Sequence, residues 1–184
     1  MRGNRRILIS GSAIVILLLI FVPPAFAGKF HFNTLEFSIG HSLVLDGTLV
    51  GLGNEAAQVN LTAVGSVTAM CENRGGQRAP GRNPISVEVE QVVTVTFDSN
   101  GRALVFVLAP DPTSPEFEPS PTPKEAGCPN GNWSVVDILD GSTNWTAARI
   151  VVLDEVGIIQ IDQSFACTTF FENGVVVGIE CVEA

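Results

Sequence analysis

The sequence predicts an all-β fold, a sandwich of antiparallel sheets, from three observations. Two long stretches, 58–71 and 85–97, alternate apolar and polar residues with a period of two, which is typical of strands buried on one face. No segment of the sequence shows the 3.6-residue period of a helix. Glycine, proline and asparagine residues that favour turns recur at a spacing of roughly 8–12 residues, as in small sandwich domains.

The first 27 residues have the features of a secretory signal. Three arginines precede the apolar run Ile7–Val22, and Ala25-Phe26-Ala27 has the small-x-small form of a cleavage site. A twin-arginine signal, weakly suggested by Arg5-Arg6, is one alternative. An uncleaved anchor is another, although the run is shorter than the roughly 20 residues that span a bilayer. We therefore predict an N-terminal signal helix and an exported protein that is secreted or held at the cell surface.

Removal of this signal leaves Gly28–Ala184, which is long enough for one domain with a hydrophobic core. We divide it into an N-terminal arm, 28–41, and one sandwich domain, 42–184, which contains a proline-rich loop at 109–127. Seven basic residues remain against nineteen acidic ones, so the formal net charge becomes −12. Such a surface repels nucleic acid and anionic membranes, and we expect neither as a partner.

The first half of the domain contains three predicted strands around one irregular loop. The arm before it carries three phenylalanines without a clean period and is either a docked arm or a short edge strand. A strand at Ser42–Leu52 is followed by the strands 58–71 and 85–97. We expect the glycine- and proline-rich loop 72–84 between them to continue neither strand. After a tight turn at 98–101, Arg102–Leu108 is apolar on both faces, which indicates a central strand.

The second half starts with the proline-rich loop, whose six prolines in 109–126 predict an extended, solvated segment. Later strands are predicted at 133–139, 145–153, 157–165, 167–171 and 175–182. Glu172-Asn173-Gly174 is a strong hairpin signal before the last of them. About eight short strands in this order suggest an immunoglobulin-like sandwich, with a jelly roll or a small barrel as alternatives.

Four cysteines lie in the mature chain, and an even number in an exported protein favours disulfides over metal binding. They allow three pairings. Cys71 ends a strand on its buried face and Cys128 opens the strand after the proline-rich loop, so we predict a bond between them. Cys167 and Cys181 flank one hairpin, and we predict the second bond there. A two-residue Asn-Gly turn would place Cys167 opposite Glu180, so this pairing requires a bulge or a wider loop.

Two segments resemble known proteins. The pattern C-x-N-x-G-G-x-x-A-P-G-x-N-P at 71–84 and the pattern C-P-N-x-N-W at 128–133 are similar to a family of small exported bacterial proteins of unknown function. The similarity covers roughly 45–153 and includes the turn at 49–54. It implies an exported β protein in which Cys71 and Cys128 form a structural pair, and it implies no activity. Cys167 and Cys181 depart from the family pattern.

Three arginines in the loop 72–84 form the main candidate binding site: Arg74, Arg78 and Arg82. They make up three of the seven basic residues of the mature chain, and Cys71 anchors their loop. Gly75, Gly76 and Gly81 would expose backbone N–H groups beside them. The loop could therefore bind a carboxylate, sulfate or phosphate of a glycan or a cell-surface protein. The alternative is a solvated loop whose arginines pair with neighbouring acids.

Two further groups of residues suggest sites but have simpler explanations. Five acidic residues could supply oxygen ligands to calcium, yet their spacing matches no known loop and turn chemistry explains them: Asp137, Asp140, Asp154, Glu155 and Asp162. Four aromatic residues could stack on a sugar, but a sandwich usually buries its tryptophans: Trp133, Trp145, Phe170 and Phe171.

Residues that support catalysis are sparse. The two histidines are His31 and His41, tyrosine is absent, and neither G-x-S-x-G nor H-E-x-x-H occurs. Neighbouring carboxylates, Glu88 with Glu90 and Glu116 with Glu118, fall on a polar strand face and in the proline-rich loop. We predict a protein without catalytic residues, bound metal or cofactor that acts by surface recognition or as a structural component. A glycan-binding module using 72–84 and a secreted hydrolase are the alternatives.

Overall fold

Nine strands dominate the computed structural model, which describes residues 30–39, 42–51, 56–112 and 121–184. They pair antiparallel throughout, and the described ranges contain no helix, as the period of two predicts. The signal segment 1–27, the turn at 52–54, His41, Glu116 and Glu118 lie outside the described residues. The strands are β1 (His31–Ile39), β2 (Ser42–Val50), β3 (Ala56–Asn73), β4 (Arg78–Thr96), β5 (Arg102–Pro110), β6 (Trp133–Ile138), β7 (Asn144–Asp154), β8 (Ile159–Glu172) and β9 (Val175–Glu183).

The strands form two sheets that pack face to face, which confirms the predicted sandwich. One sheet has the order β1-β2-β5. The other has six strands in the order β4-β3-β7-β8-β9, with β6 pairing with the end of β3 that β7 does not reach. The core between the sheets is made of fully buried side chains from both: Leu43, Leu45, Leu49, Val105, Val107, Val59, Leu61, Trp145, Ile150 and Val152. The immunoglobulin-like subtype stays a prediction.

Both predicted disulfides are present, Cys71–Cys128 and Cys167–Cys181. The second depends on the hairpin between β8 and β9. Asn173 and Gly174 have φ angles of 53° and 78°, the left-handed conformation that a tight two-residue turn requires. The ladder then shifts by one residue between Phe170 and Phe171, and this bulge brings Cys167 opposite Cys181. The sequence argument required such a bulge.

The segment 72–84 is not the irregular loop that its glycines and prolines predict. β3 runs to Asn73 and β4 begins at Arg78, so the two long strands pair as one hairpin and only 74–77 form its turn. The prolines at 80 and 84 lie opposite Met70 and Thr68, with a bulge between them. β4 is an edge strand, and an edge tolerates proline because one side of the strand has no neighbour to bond.

β5 is an edge strand, and its prediction as a central strand is wrong. Among the described residues it pairs with β2 alone. Its inward side chains are buried, whereas its outer row, Leu104, Phe106 and Leu108, is exposed at 84%, 59% and 44%. One apolar face of β5 therefore lies in the core, and the other apolar face is in contact with solvent.

A bulge in β1 explains why the phenylalanines of the arm show no clean period. The ladder with β2 shifts between Phe32 and Thr34, so that Phe32 and then Leu35 both pack against the core. Gly47 lies opposite Leu35, and a side chain there would place its Cβ 2.7 Å from the carbonyl oxygen of Thr34. Glycine at this position therefore lets the bulged backbone of β1 approach β2. Of the two alternatives for the arm, the edge strand is the one observed.

Candidate binding groove

A groove of about 630 Å³ lies between the edge of the small sheet and the inner face of the large one. It opens where β1 meets the end of the large sheet, because its lining comes from the first residues of β1, from β8 and from Glu183 of β9. Its apolar lining comes from both sheets: Phe30, Phe32, Leu35, Ile161 and Phe165. Beside it Phe37 packs against Phe165 with ring centroids 5.1 Å apart, which fixes β1 on β8. An apolar concavity of this size with a few polar groups is the usual form of a ligand site.

Gln163 places a polar side chain among the apolar groups of this groove. It interrupts the inward row of β8, where Ile161, Phe165 and Cys167 are buried. Its Nε2 donates to Oε1 of Glu183 on β9 at 3.3 Å, while its own Oε1 is buried and has no hydrogen-bond partner. An unpaired buried acceptor destabilises a fold by about 1–3 kcal/mol. A residue that breaks the apolar pattern at such a cost is typical of a functional position.

The charged groups of the groove are acidic. Its polar lining consists of His31, Gln160, Asp162, Gln163 and Glu183, and it contains neither lysine nor arginine. Asp162 forms a bidentate pair with Arg149, at 2.8 and 2.7 Å, on the outer face of the sheet. The hydrogen bond and the charge of Arg149 lower the pKa of Asp162, so this carboxylate is ionised at neutral pH.

The predicted arginine site is largely satisfied by its own hairpin. Arg78 lies opposite Glu72, and its Nε is 2.6 Å from the Glu72 carboxylate. The side-chain oxygen of Asn73 accepts from the N–H groups of Gly75 and Gln77, and the Asn73 carbonyl accepts from Gly76. The N–H groups of the two adjacent glycines are therefore not available to an anion, contrary to the sequence argument.

Arg74 and Arg82 are exposed and make no ion pair with the described residues. Arg74 lies in the turn, whereas Arg82 lies at the bulge of β4, where its N–H donates to the carbonyl of Gly127. Arg78 between them is neutralised by Glu72. The structure thus places the three arginines along one hairpin without joining them around a common point, and binding of an anion there stays a prediction.

The acidic residues considered for calcium act mainly in turns and surface pairs. The Asp154 carboxylate accepts from the N–H groups of Val156 and Ile158 and from Gln160, and these bonds lower its pKa. Asp137 accepts from the next N–H in the chain. Within the described residues no three His, Cys, Asp or Glu side chains are grouped closely enough to hold a metal ion. Turn chemistry is therefore the better explanation.

The four aromatic residues do not form one platform. Trp145 is fully buried, as predicted, and cannot offer its face to a sugar. Trp133 is half-buried in β6, while Phe170 and Phe171 are exposed near the last hairpin. Glu88 and Glu90 lie exposed on β4, as their alternation predicts. The groove residues Gln163 and Glu183 were not predicted, although glutamine between Ile161 and Phe165 in an alternating strand was a visible signal.

Comparison of the chain with protein-family models, with curated proteins and with solved structures finds no match. The resemblance to small exported bacterial proteins therefore stays a prediction. A separate search for membrane-spanning segments finds, among the described residues, no helix of sufficient length and apolar character.

Proposed function

We propose that this protein is exported and acts by recognition, with the groove between β1 and β8 as its binding site. Two disulfides support an oxidising extracellular environment, where such bonds persist. The observation that carries the proposal is Gln163, whose buried acceptor has no partner although it lies beside the apolar side chains of the groove. A bound molecule that brings a hydrogen-bond donor would compensate for this loss.

Groove binding is tested by an NMR titration of the mature domain with small aromatic compounds that are neutral, anionic and cationic. We expect at least one class to shift the amide signals of β1 and β8. Leu35→Trp, which fills the groove, should abolish the shifts. Leu104→Trp is the matched control, because Leu104 is 84% exposed on the outer face of β5 and should leave binding unchanged. No shift with any class, or shifts that survive Leu35→Trp, would contradict the proposal.

Export is tested separately by expressing the full chain and analysing the medium and the cell surface. We expect a mature N-terminus near residue 28 and two intact disulfides. A product that keeps residues 1–27 and stays inside the cell would contradict export while leaving the groove intact as a binding site.

A structural role is the second candidate function, and the outer row of β5 favours it. Phe106 stands at the centre of this row with a leucine two residues away on either side. A two-fold axis through Phe106 would therefore place Leu104 of one copy against Leu108 of another, which is the self-complementarity of an isologous interface. Sedimentation across a concentration series should show a dimer that Phe106→Glu abolishes. A monomer at all concentrations would contradict this role.

A glycan-binding role for the arginine hairpin has weaker support. It rests on Arg74 and Arg82, because Arg78 is paired with Glu72 and the neighbouring N–H groups are used within the turn.

A further inference from the structure

We propose that the groove binds a protonated organic amine that carries an apolar group; this inference rests on the proposed function of the groove. Its first basis is the balance of hydrogen-bonding groups. The Nε2 groups of both glutamines are engaged, with Asp154 for Gln160 and with Glu183 for Gln163. The carboxylate of Glu183 and the Oε1 of Gln163 are acceptors, whereas both oxygens of Asp162 already accept from Arg149. The groove therefore needs a ligand that supplies donors.

The charge of the groove selects the sign of the ligand. Glu183 is the lining carboxylate that has no ion pair with the described residues, whereas Asp162 is paired with Arg149; no lysine or arginine lines the groove, and the chain without residues 1–27 carries a formal net charge of −12. An anion would meet repulsion both at the groove and over the whole surface, whereas a cation is attracted at both.

The aromatic lining indicates an organic cation rather than a metal ion. The rings of Phe30, Phe32 and Phe165 line the groove, and a phenylalanine face attracts an ammonium group while its surroundings bury an apolar substituent. Calcium, in contrast, requires six to eight oxygen ligands, which two carboxylates and one amide do not provide.

Gln163 can adjust to such a ligand by one rotation. The last torsion of a glutamine side chain is broad, so the amide can turn its Oε1 toward an ammonium N–H. The ammonium would then also donate to Glu183 in place of Nε2 of Gln163, which now makes this bond at 3.3 Å. One cationic group would thus satisfy the unpaired acceptor and pair with the carboxylate.

Three probes of matched size test the inference by calorimetric and NMR titration: 2-phenylethylammonium, 2-phenylethanol and 3-phenylpropionate. They share a phenyl ring and differ in the charge of the end group. We expect the ammonium compound to bind at least about tenfold more tightly than the alcohol, and the carboxylate not to bind detectably. Added salt should weaken the binding of the ammonium compound but not that of the alcohol, because salt screens the charge interaction.

Two variants assign the effect to the named residues. Glu183→Gln should weaken the binding of the ammonium compound about tenfold. Glu180→Gln is the matched control and should not change binding, because Glu180 is an exposed residue of the same strand, β9, and pairs with Thr168 of β8. Gln163→Leu should reduce the preference for ammonium over alcohol and raise the melting temperature, because it removes an unpaired buried acceptor. The higher melting temperature shows that the variant is folded.

The outcomes separate the two proposals. Groove shifts with the alcohol or the carboxylate that equal or exceed those with ammonium would overturn the cation inference and leave the groove a binding site. Absence of groove shifts with all three probes would overturn the proposed function and the inference together. An ammonium preference that Glu183→Gln leaves unchanged would also overturn the inference.

Discussion

Removal of the Cys71–Cys128 disulfide should destabilise the domain more than removal of Cys167–Cys181. Cys71 is fully buried at the end of β3, and Cys128 follows a short turn that docks on β4. In this turn Thr122 and Glu125 bond each other reciprocally, and the carbonyls of the next two residues accept from β4. The disulfide therefore holds the end of the proline-rich excursion against the long hairpin.

The expected magnitudes follow from the loop that each bond closes in the unfolded chain. For a sequence separation of 57 the chain-entropy relation predicts about 4 kcal/mol at 25 °C. For a separation of 14 it predicts about 3 kcal/mol. Each pair contains one buried cysteine, Cys71 or Cys167, so the expected difference of about 1 kcal/mol comes from loop length.

The assay is urea unfolding of two double variants, Cys71→Ala with Cys128→Ala and Cys167→Ala with Cys181→Ala, against the oxidised parent protein. Tryptophan fluorescence, to which the buried Trp145 contributes, reports the transition. We expect the first variant to lose more unfolding free energy, with a similar denaturant slope in both. Equal losses, or a larger loss from the second variant, would refute the argument from loop length.

Three further predictions concern the bulge, the arginines and pH. Gly47→Ala should lower the unfolding free energy by about 1–3 kcal/mol and weaken groove binding, because the added Cβ meets the Thr34 carbonyl. Gly131→Ala is the control and should lower the unfolding free energy less, because the space around Gly131 is open. Equal losses of unfolding free energy in urea would contradict the role of the close approach. Replacement of Arg74, Arg78 and Arg82 by alanine should change the unfolding free energy by less than about 1 kcal/mol. It should also remove any increase in melting temperature caused by a sulfated glycan. An increase that survives the triple replacement would exclude these arginines as the site. Hydrogen bonds lower the pKa values of four carboxylates in the folded state: Asp98, Glu125, Asp154 and Asp162. The stability that these carboxylates contribute is therefore complete above their pKa in the unfolded chain, and it is lost as the pH falls through their pKa in the folded state. The melting temperature should therefore decrease when the pH is lowered below about 4. Asp154→Asn should make this decrease smaller.

Local signals in the sequence predicted most of the strands and both disulfides. Period two identifies a strand without knowledge of its neighbours, and Asn173-Gly174 sets the register of β8 against β9 by its length. That register places Cys167 opposite Glu180, so a bulge between the turn and the two cysteines is needed to bring Cys167 opposite Cys181. This bulge is observed between Phe170 and Phe171.

Features that depend on strand order could not be predicted. The prolines at 80 and 84 predict the end of a strand, but β4 is an edge strand, which tolerates them. Likewise the composition of Arg102–Leu108 predicts a central strand, because composition does not distinguish an apolar face that meets another sheet from one that meets solvent. The groove depends on how β1 meets β8 and β9 of the other sheet and on the bulge in β1, neither of which can be derived from local periodicity.

The outer row of β5 has a consequence for how the protein behaves at high concentration. Between Arg102 and Pro110 the strand is ALVFVLA, an uncharged apolar segment of the kind that drives intermolecular β pairing. Long-range repulsion between molecules of formal net charge −9 opposes such contacts. Colloidal stability of this protein therefore depends on ionic strength: dilute buffers near neutral pH favour dispersed molecules, and salting or acidification promotes precipitation through β5.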